Sequence, residues 1–288
     1  MTLPNDFQFS QASLQDYKSC PRRFKLRYLD RLRWPAIESE PVQEAERLAR
    51  LGTSFHQLVR QHVDYQTLPD PQVDVEAILA ETLQHDETGL LADWWRSYLT
   101  HQPPQLAGAT VYPEITFSTP LHGHRIVARF DLLAVQPDGQ FVIIDWKTSQ
   151  KKPPRYRLAD RFQTYVYPYV FAKAGTAFND GQPIKPDRIS LIYWYPVEPE
   201  QPEIFRYSID LFERDERIIG QMITRVQKAT SQNDFPMVEN PRPCSYCVYR
   251  SLCERGDKAG PLIEMEAEVE DSLDLESLDW DQIAEIQF

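Results

Sequence analysis

The sequence predicts an α/β fold in which a mixed central sheet is flanked by helices. Three observations lead there. Apolar residues recur at helical spacing through much of the first hundred residues. Runs rich in Val, Ile and Phe follow, joined by short turns. Beyond them, helical and strand-like stretches alternate. The length of 288 residues suits one large domain, or one domain with helical insertions. Apolar residues make up 42% of the chain, enough for a sizeable core. No stretch reaches the ~18 consecutive apolar residues of a membrane-crossing helix.

The elements read in order as follows. Gln11 to Asp30 is a helix with Ser10 as its N-cap. Gln43 to Asp64 is a second, and Val73 to Gln84 and Thr88 to Thr100 are shorter ones. The Pro103-Pro104 pair ends this helical block. Ala109 to Ser118, Arg125 to Val135 and Gln140 to Lys147 are strands, the last two joined by a Pro137-Asp138-Gly139 turn. Tyr156 to Ala174 returns to helix, with Pro168 inside it expected to kink or shorten it. Arg188 to Tyr195 and Glu203 to Ser208 read as strands, and Leu211 to Thr230 as a closing helix.

Charge is unevenly placed. The formal net charge is −12, but from Gly260 to Phe288 there are ten acidic residues and no Lys or Arg. Residues 261–288 are expected to be a disordered, solubilising tail. The rest balances 31 basic against 33 acidic residues. Basic residues cluster at Arg22, Arg23, Lys25, Arg27, Arg31 and Arg33, and again from Lys147 to Arg161. A near-neutral body with such patches can hold a phosphate backbone. Met1 to Ser10 has neither the basic start nor the apolar run of a signal peptide, so a cytoplasmic location is the expectation.

The chemistry concentrates in RFDLLAVQPDGQFVIIDWKTS. With the turn centred on Asp138, Asp131 faces Asp145 across a hairpin, and Arg129 faces Lys147. Directly opposed side chains lie about 4.5–5.5 Å apart at Cβ. Lys147 projects from the same face as Asp145, two residues on. Two opposed carboxylates repel unless a positive charge lies between them. A hard cation such as Mg²⁺ or Mn²⁺ suits oxygen ligands, and a lysine beside it can position a water and offset phosphate charge. The four cysteines are Cys20, Cys244, Cys247 and Cys253, the last three spaced C-x2-C-x5-C. Four thiolates match either an iron–sulfur cluster or a Zn²⁺ site.

These motifs together resemble the PD-(D/E)XK nucleases, and within them the RecB-like branch. Asp131 followed by IIDWKTS is similar to that family's catalytic core. Gly52 to His56 resembles its Gly-x-x-x-His helix, and Gln163 with Tyr167 its Gln-x-x-x-Tyr helix. SQASLQDYKSCPRRFKLRYL resembles its N-terminal helix, and the order of all four over residues 10–253 is the family's. The sequence departs from the pattern at Ala128, where the family usually has Gly, and at Pro168 directly after Tyr167.

The resemblance implies a restriction-endonuclease-like fold over residues 1–260, with an N-terminal helical insertion from about 35 to 105. It implies that Asp131, Asp145 and His56 hold Mg²⁺ or Mn²⁺, and that Lys147 orients the attacking water. Gln163 and Tyr167 would support the site or contact DNA, and Glu114 would support it from behind. The one-plus-three cysteines resemble the iron–sulfur subset, which includes the CRISPR-associated exonuclease and the AddB-type nuclease domains. There a [4Fe–4S] cluster staples the two ends of the domain, with Zn²⁺ as the alternative occupant. The implied activity is DNA phosphodiester hydrolysis on single-stranded or end-containing DNA. Any helicase, repair or CRISPR partner would be a separate protein. Two other readings compete: a catalytically idle DNA-binding or assembly module, and a zinc-stabilised RNA-processing enzyme.

Overall fold

Strand β1 (Gln8–Ser10) runs straight into helix α1 (Gln11–Ser19), and the junction explains itself. Ser10 is an extended N-cap whose hydroxyl accepts from the Ser13 N–H, while the Ser13 hydroxyl closes a capping box on the Ser10 N–H. The expected single helix from Gln11 to Asp30 is broken at Cys20. Pro21 drives the residue before it out of helical conformation, and Cys20 is extended at φ −162°, ψ 108°. The chain then resumes as a short helix α2 (Pro21–Phe24) and a π-helical turn (Lys25–Leu29).

The computed structural model describes residues 3–32, 40–66, 86, 88–229 and 231–256. The helix expected over Val73 to Gln84 and the acidic tail therefore lie outside the described residues. Helix α3 (Glu40–Gln66) and helix α4 (Leu90–Thr100) precede strands β2 (Thr110–Leu121), β3 (His124–Val135) and β4 (Phe141–Trp146). Helices α5 (Arg155–Ala159) and α6 (Phe162–Ala174) follow, then β5 (Ile189–Trp194), β6 (Glu203–Arg206) and α7 (Ile209–Lys228). The expected helix from Tyr156 to Ala174 is thus two helices. The break falls at the extended Arg161 rather than at Pro168, which sits inside α6 without ending it.

The sheet is mixed, ordered β1-β3-β4-β5-β6, with β2 also on β3. The β1–β3 and β4–β5 pairs are parallel; β2–β3, β3–β4 and β5–β6 are antiparallel. Strand β2 covers one edge of β3 from Leu121↔His124 to Thr110↔Val135. The other edge is shared. β1 takes Arg125 to Val127, and β4 takes Leu132 to Val135. Between them the edge of β3 from Ala128 to Asp131 has neither strand beside it, and this gap positions the site.

Two helical layers cover the sheet. On one face α3 and α4 pack Phe55, Leu58, Trp94 and Tyr98 against Leu132, Ile144, Trp146 and Trp194. On the other, α1, α6 and α7 pack Leu14, Val166, Val170 and Ile223 against Phe130, Ile143 and Tyr193. Helix α6 is buried nearly all round, as an apolar helix between layers must be. The alternation of β3 changes phase at Asp131: Ala128 and Phe130 face one layer, Leu132 and Ala134 the other. β2 does the same at the level of Glu114, with Ile115 and Phe117 toward one layer and Val111 toward the other. Among the described residues no helix is long and apolar enough to cross a membrane.

Candidate functional site

The β3–β4 hairpin has the expected register, with Val135 opposite Phe141 and Leu132 opposite Ile144. The ladder stops there, one pair short of Asp131 and Asp145. The strands part, and the Asp131 carboxylate takes over the role of a strand neighbour: its Oδ2 accepts the Trp146 N–H at 2.8 Å. The ladder does not pair Lys147 with Arg129. The Lys147 N–H donates instead to the Trp194 carbonyl of β5 at 2.9 Å. Arg129 turns to Glu114 at 2.8 Å.

Asp145 and Lys147 form a buried ion pair, Nζ to Oδ2 at 2.9 Å, with side chains 1% and 3% exposed. Gln163, on α6, donates from Nε2 to Asp145 Oδ1 at 2.5 Å. The Lys147 ammonium also lies 5.8 Å from the centre of the Tyr193 ring. Tyr167, one turn beyond Gln163, is buried; its hydroxyl accepts from Gln11 at 3.4 Å and its ring packs on Phe130. Gln163 therefore touches the acid pair directly, while Tyr167 ties α6 to β3 and to the start of α1.

His56 arrives from the opposite layer. Its Nδ1 lies 3.4 Å from Asp131 Oδ1. Helix α3 comes this close because of Gly52: a Cβ there would sit 2.6 Å from the Thr148 hydroxyl. Burial alone would raise the Asp131 carboxyl. The His56 charge and hydrogen bond, the Lys147 charge and the Trp146 N–H outweigh it and hold the carboxyl below the usual carboxylate range. His56, Asp131 and Trp146 line a recess of about 220 Å³ together with Arg60 and Glu114.

Glu114 is the unusual member. Its φ of 47° lies in the left-handed region, which costs a residue with a side chain on the order of 1–3 kcal/mol. Its Oε2 accepts from Arg129 Nη2 at 2.8 Å and from Arg60 Nη1. Exposed ion pairs return about 0–1 kcal/mol each, so these pairs alone are a weak reason for the conformation. Arg60 carries no sequence motif, and only the meeting of α3, β2 and β3 brings it here.

Among the described residues no three His, Cys, Asp or Glu side chains already converge as a metal cage. Asp131 and Asp145 are held by protein donors instead. The donor set nonetheless suits a hard divalent cation: one carboxylate on the open edge of β3, one near the end of β4, and an imidazole 3.4 Å from the first.

All four cysteines line a second recess, of about 370 Å³ including its open mouth, with Arg23, Met237 and Arg250. Arg23 is buried and paired through Nε with Asp16 at 2.8 Å. The break at Cys20 puts this thiol on the same recess as the other three. The C-terminal segment is also tied back by Tyr249 donating to the Leu32 carbonyl at 2.9 Å and Arg22 N–H to the Pro236 carbonyl at 3.3 Å. Burial pushes the Cys247 thiol up to about 11 and raises Cys244 and Cys253 as well, and neighbouring thiols add to the rise at each. Thiols gathered this way become thiolates readily only when a metal cation offsets them, and the all-sulfur donor set fits an iron–sulfur cluster or zinc.

Residues 8–254 match the family model of the PD-(D/E)XK nuclease superfamily. No curated protein matches the chain. Among solved structures, one described as SSO0001 is 16% identical with a TM-score of 0.39, over 88% of this chain and 87% of that one. A second, described as "Putative exonuclease" from Eubacterium rectale, is 10% identical with a TM-score of 0.38, over 76% and 79%.

Proposed function

Because the chain belongs to the PD-(D/E)XK nuclease superfamily, we propose that it is a metal-dependent deoxyribonuclease of the RecB-like branch, acting on single-stranded or end-containing DNA. The observation that carries this is the parting of β3 and β4. It leaves Asp131 on the open edge of β3 and Asp145 near the end of β4, just past the last ladder pair, with Lys147 locked to Asp145 at 2.9 Å. Asp131, Asp145 and His56 are the residues that would hold Mg²⁺ or Mn²⁺. The bound cation supplies an acidified water and positive charge for the phosphate. Lys147 presents its ammonium to the water and to a phosphate oxygen, and Gln163 keeps the Asp145 carboxylate aimed. Hydrolysis forms a bond from water oxygen to phosphorus and breaks one P–O ester bond, the leaving alkoxide taking up a proton.

In the same reading, Cys20, Cys244, Cys247 and Cys253 hold a [4Fe–4S] cluster that closes a domain spanning residues 1–260. The shared recess supports four-sulfur ligation, with zinc as the competing occupant. α3 and α4 belong to a helical insertion over about 35–105. The setting is DNA repair, recombination or related processing in the cytoplasm, with any helicase a separate partner.

The test is anaerobic incubation with linear and circular single-stranded DNA, duplex DNA and RNA, in Mn²⁺ or in EDTA. The reading expects linear single-stranded DNA to be shortened in Mn²⁺ only, with circles spared. Binding without cleavage of any substrate would move the assignment to an idle DNA-binding module. Cleavage of RNA alone would move it to RNA processing.

A further inference from the structure

Four side chains from three elements share the recess beside the acid pair. His56 and Arg60 lie one turn apart on α3, Asp131 is on β3, and Glu114 is on β2. Glu114 is level with Asp131, since Pro113 pairs with Leu132 and Ile115 with Phe130. Its left-handed backbone coincides with the phase change of both strands. One Glu114 oxygen gathers two guanidiniums, from Arg60 and Arg129. The Arg60 side chain is 52% exposed, whereas Glu114 is 17% exposed, so the carboxylate sits behind and the guanidinium in front. Asp64, one turn on along α3 and itself 52% exposed, also lies 3.6 Å from Arg60.

We propose that Arg60 and Arg129, aligned by Glu114, form a guanidinium clamp that seats a phosphate of the substrate strand next to the acid pair. The clamp rests on the nuclease reading and says how that site holds its substrate. Guanidinium forks match phosphate oxygens in a way an ammonium does not. Holding a neighbouring phosphate fixes the scissile one against the attacking water. The phosphate is either internal to the strand or the terminal 5′-phosphate, which share this chemistry. Glu114 is a positioning residue: it orients the two arginines and touches no substrate.

The experiment measures binding of short oligodeoxythymidylates, with a 5′-hydroxyl or a 5′-phosphate, by fluorescence anisotropy in EDTA over a range of KCl. Wild type is set beside Arg60→Ala, Arg60→Lys and Glu114→Gln, with Arg96→Ala on α4 as a remote control. Arg60→Ala should weaken binding about tenfold and reduce the slope of log affinity against log salt by about 0.7, the share of one phosphate on a single strand. Arg60→Lys should restore the slope without the full affinity. Glu114→Gln should bind as tightly as wild type or more so, yet turn over about tenfold more slowly in Mn²⁺. A residue that merely held the fold would not split binding from turnover. A loss confined to the 5′-phosphorylated oligomer assigns the clamp to the strand end, and an equal loss on both assigns it to an internal phosphate. Unchanged affinity and slope in Arg60→Ala, with wild type binding and cleaving, overturns the clamp alone. A wild type that neither binds nor cleaves overturns the nuclease reading and the clamp together.

Discussion

Replacing Lys147 by Met removes the ammonium and keeps most of the side-chain volume. Both members of the Lys147–Asp145 pair are almost fully buried, at 2% and 1% residue exposure. The Asp145 carboxylate would keep the Gln163 donor at 2.5 Å but lose the cation at 2.9 Å. Stranding one buried charge in this way costs about 3–5 kcal/mol. Asp145→Asn strands the ammonium instead and should cost a similar amount. The double variant removes both charges of the pair. It should lose much less than the two single losses together, with a coupling of about 2 kcal/mol or more. Urea unfolding followed by circular dichroism and by tryptophan fluorescence reads all four corners of this cycle without added metal. Adding Mn²⁺ should recover part of the Lys147→Met loss, since a cation facing the same carboxylates takes over the neutralising role. Single losses under about 1 kcal/mol, or additive losses, would refute the reasoning, because they would mean that water screens the pair.

Three further outcomes follow from the structure. Glu114→Gly should be more stable than Glu114→Ala by about 1 kcal/mol in thermal or urea unfolding, because glycine accepts φ 47° without strain. Asp215, on α7, is raised to about 6 by burial, which Arg214 and the Tyr207 hydroxyl only partly offset. Its folded pKa lies above the unfolded one, so the favoured form is the neutral acid. The stability of wild type relative to Asp215→Asn should therefore fall as pH rises from about 4 to about 6, and level off above. Cys20→Ser should release the metal group from anaerobically purified protein, seen as loss of iron or zinc by elemental analysis, and lower the unfolding temperature. Retention of a full complement of metal would remove Cys20 from the ligand set.

The hairpin was legible because strand geometry is local. A Pro-Asp-Gly turn and an apolar run fix a register, and the structure keeps that register from Val135↔Phe141 to Leu132↔Ile144, one pair short of Asp131 and Asp145. The Ser10 cap was legible for the same reason. What lies beyond the end of the ladder was not. Carrying the register three positions past the last pair set Arg129 against Lys147, which the ladder does not reach, because nothing in the alternation says where two strands part. Strand β1 has only three residues and draws its stability from β3, more than a hundred positions away. The helix break at Cys20 could have been read from Pro21, which disfavours helical backbone before it. Pro168 does not end α6 as a helix breaker would, since α6 is buried nearly all round and tolerates one missing hydrogen bond. The Gln163–Asp145 contact entered through family resemblance, as did His56. Arg60 had no signal at all, because its position depends on the crossing of a helix with two strands.

The most direct test of the account is cleavage of end-labelled single-stranded DNA by anaerobically purified protein in Mn²⁺, with Asp145→Asn and Lys147→Ala alongside. The account predicts metal-dependent shortening by the wild type and loss of at least a hundredfold in each variant, with DNA affinity retained. Equal cleavage by all three proteins, or none by the wild type in Mg²⁺ or Mn²⁺, would contradict it.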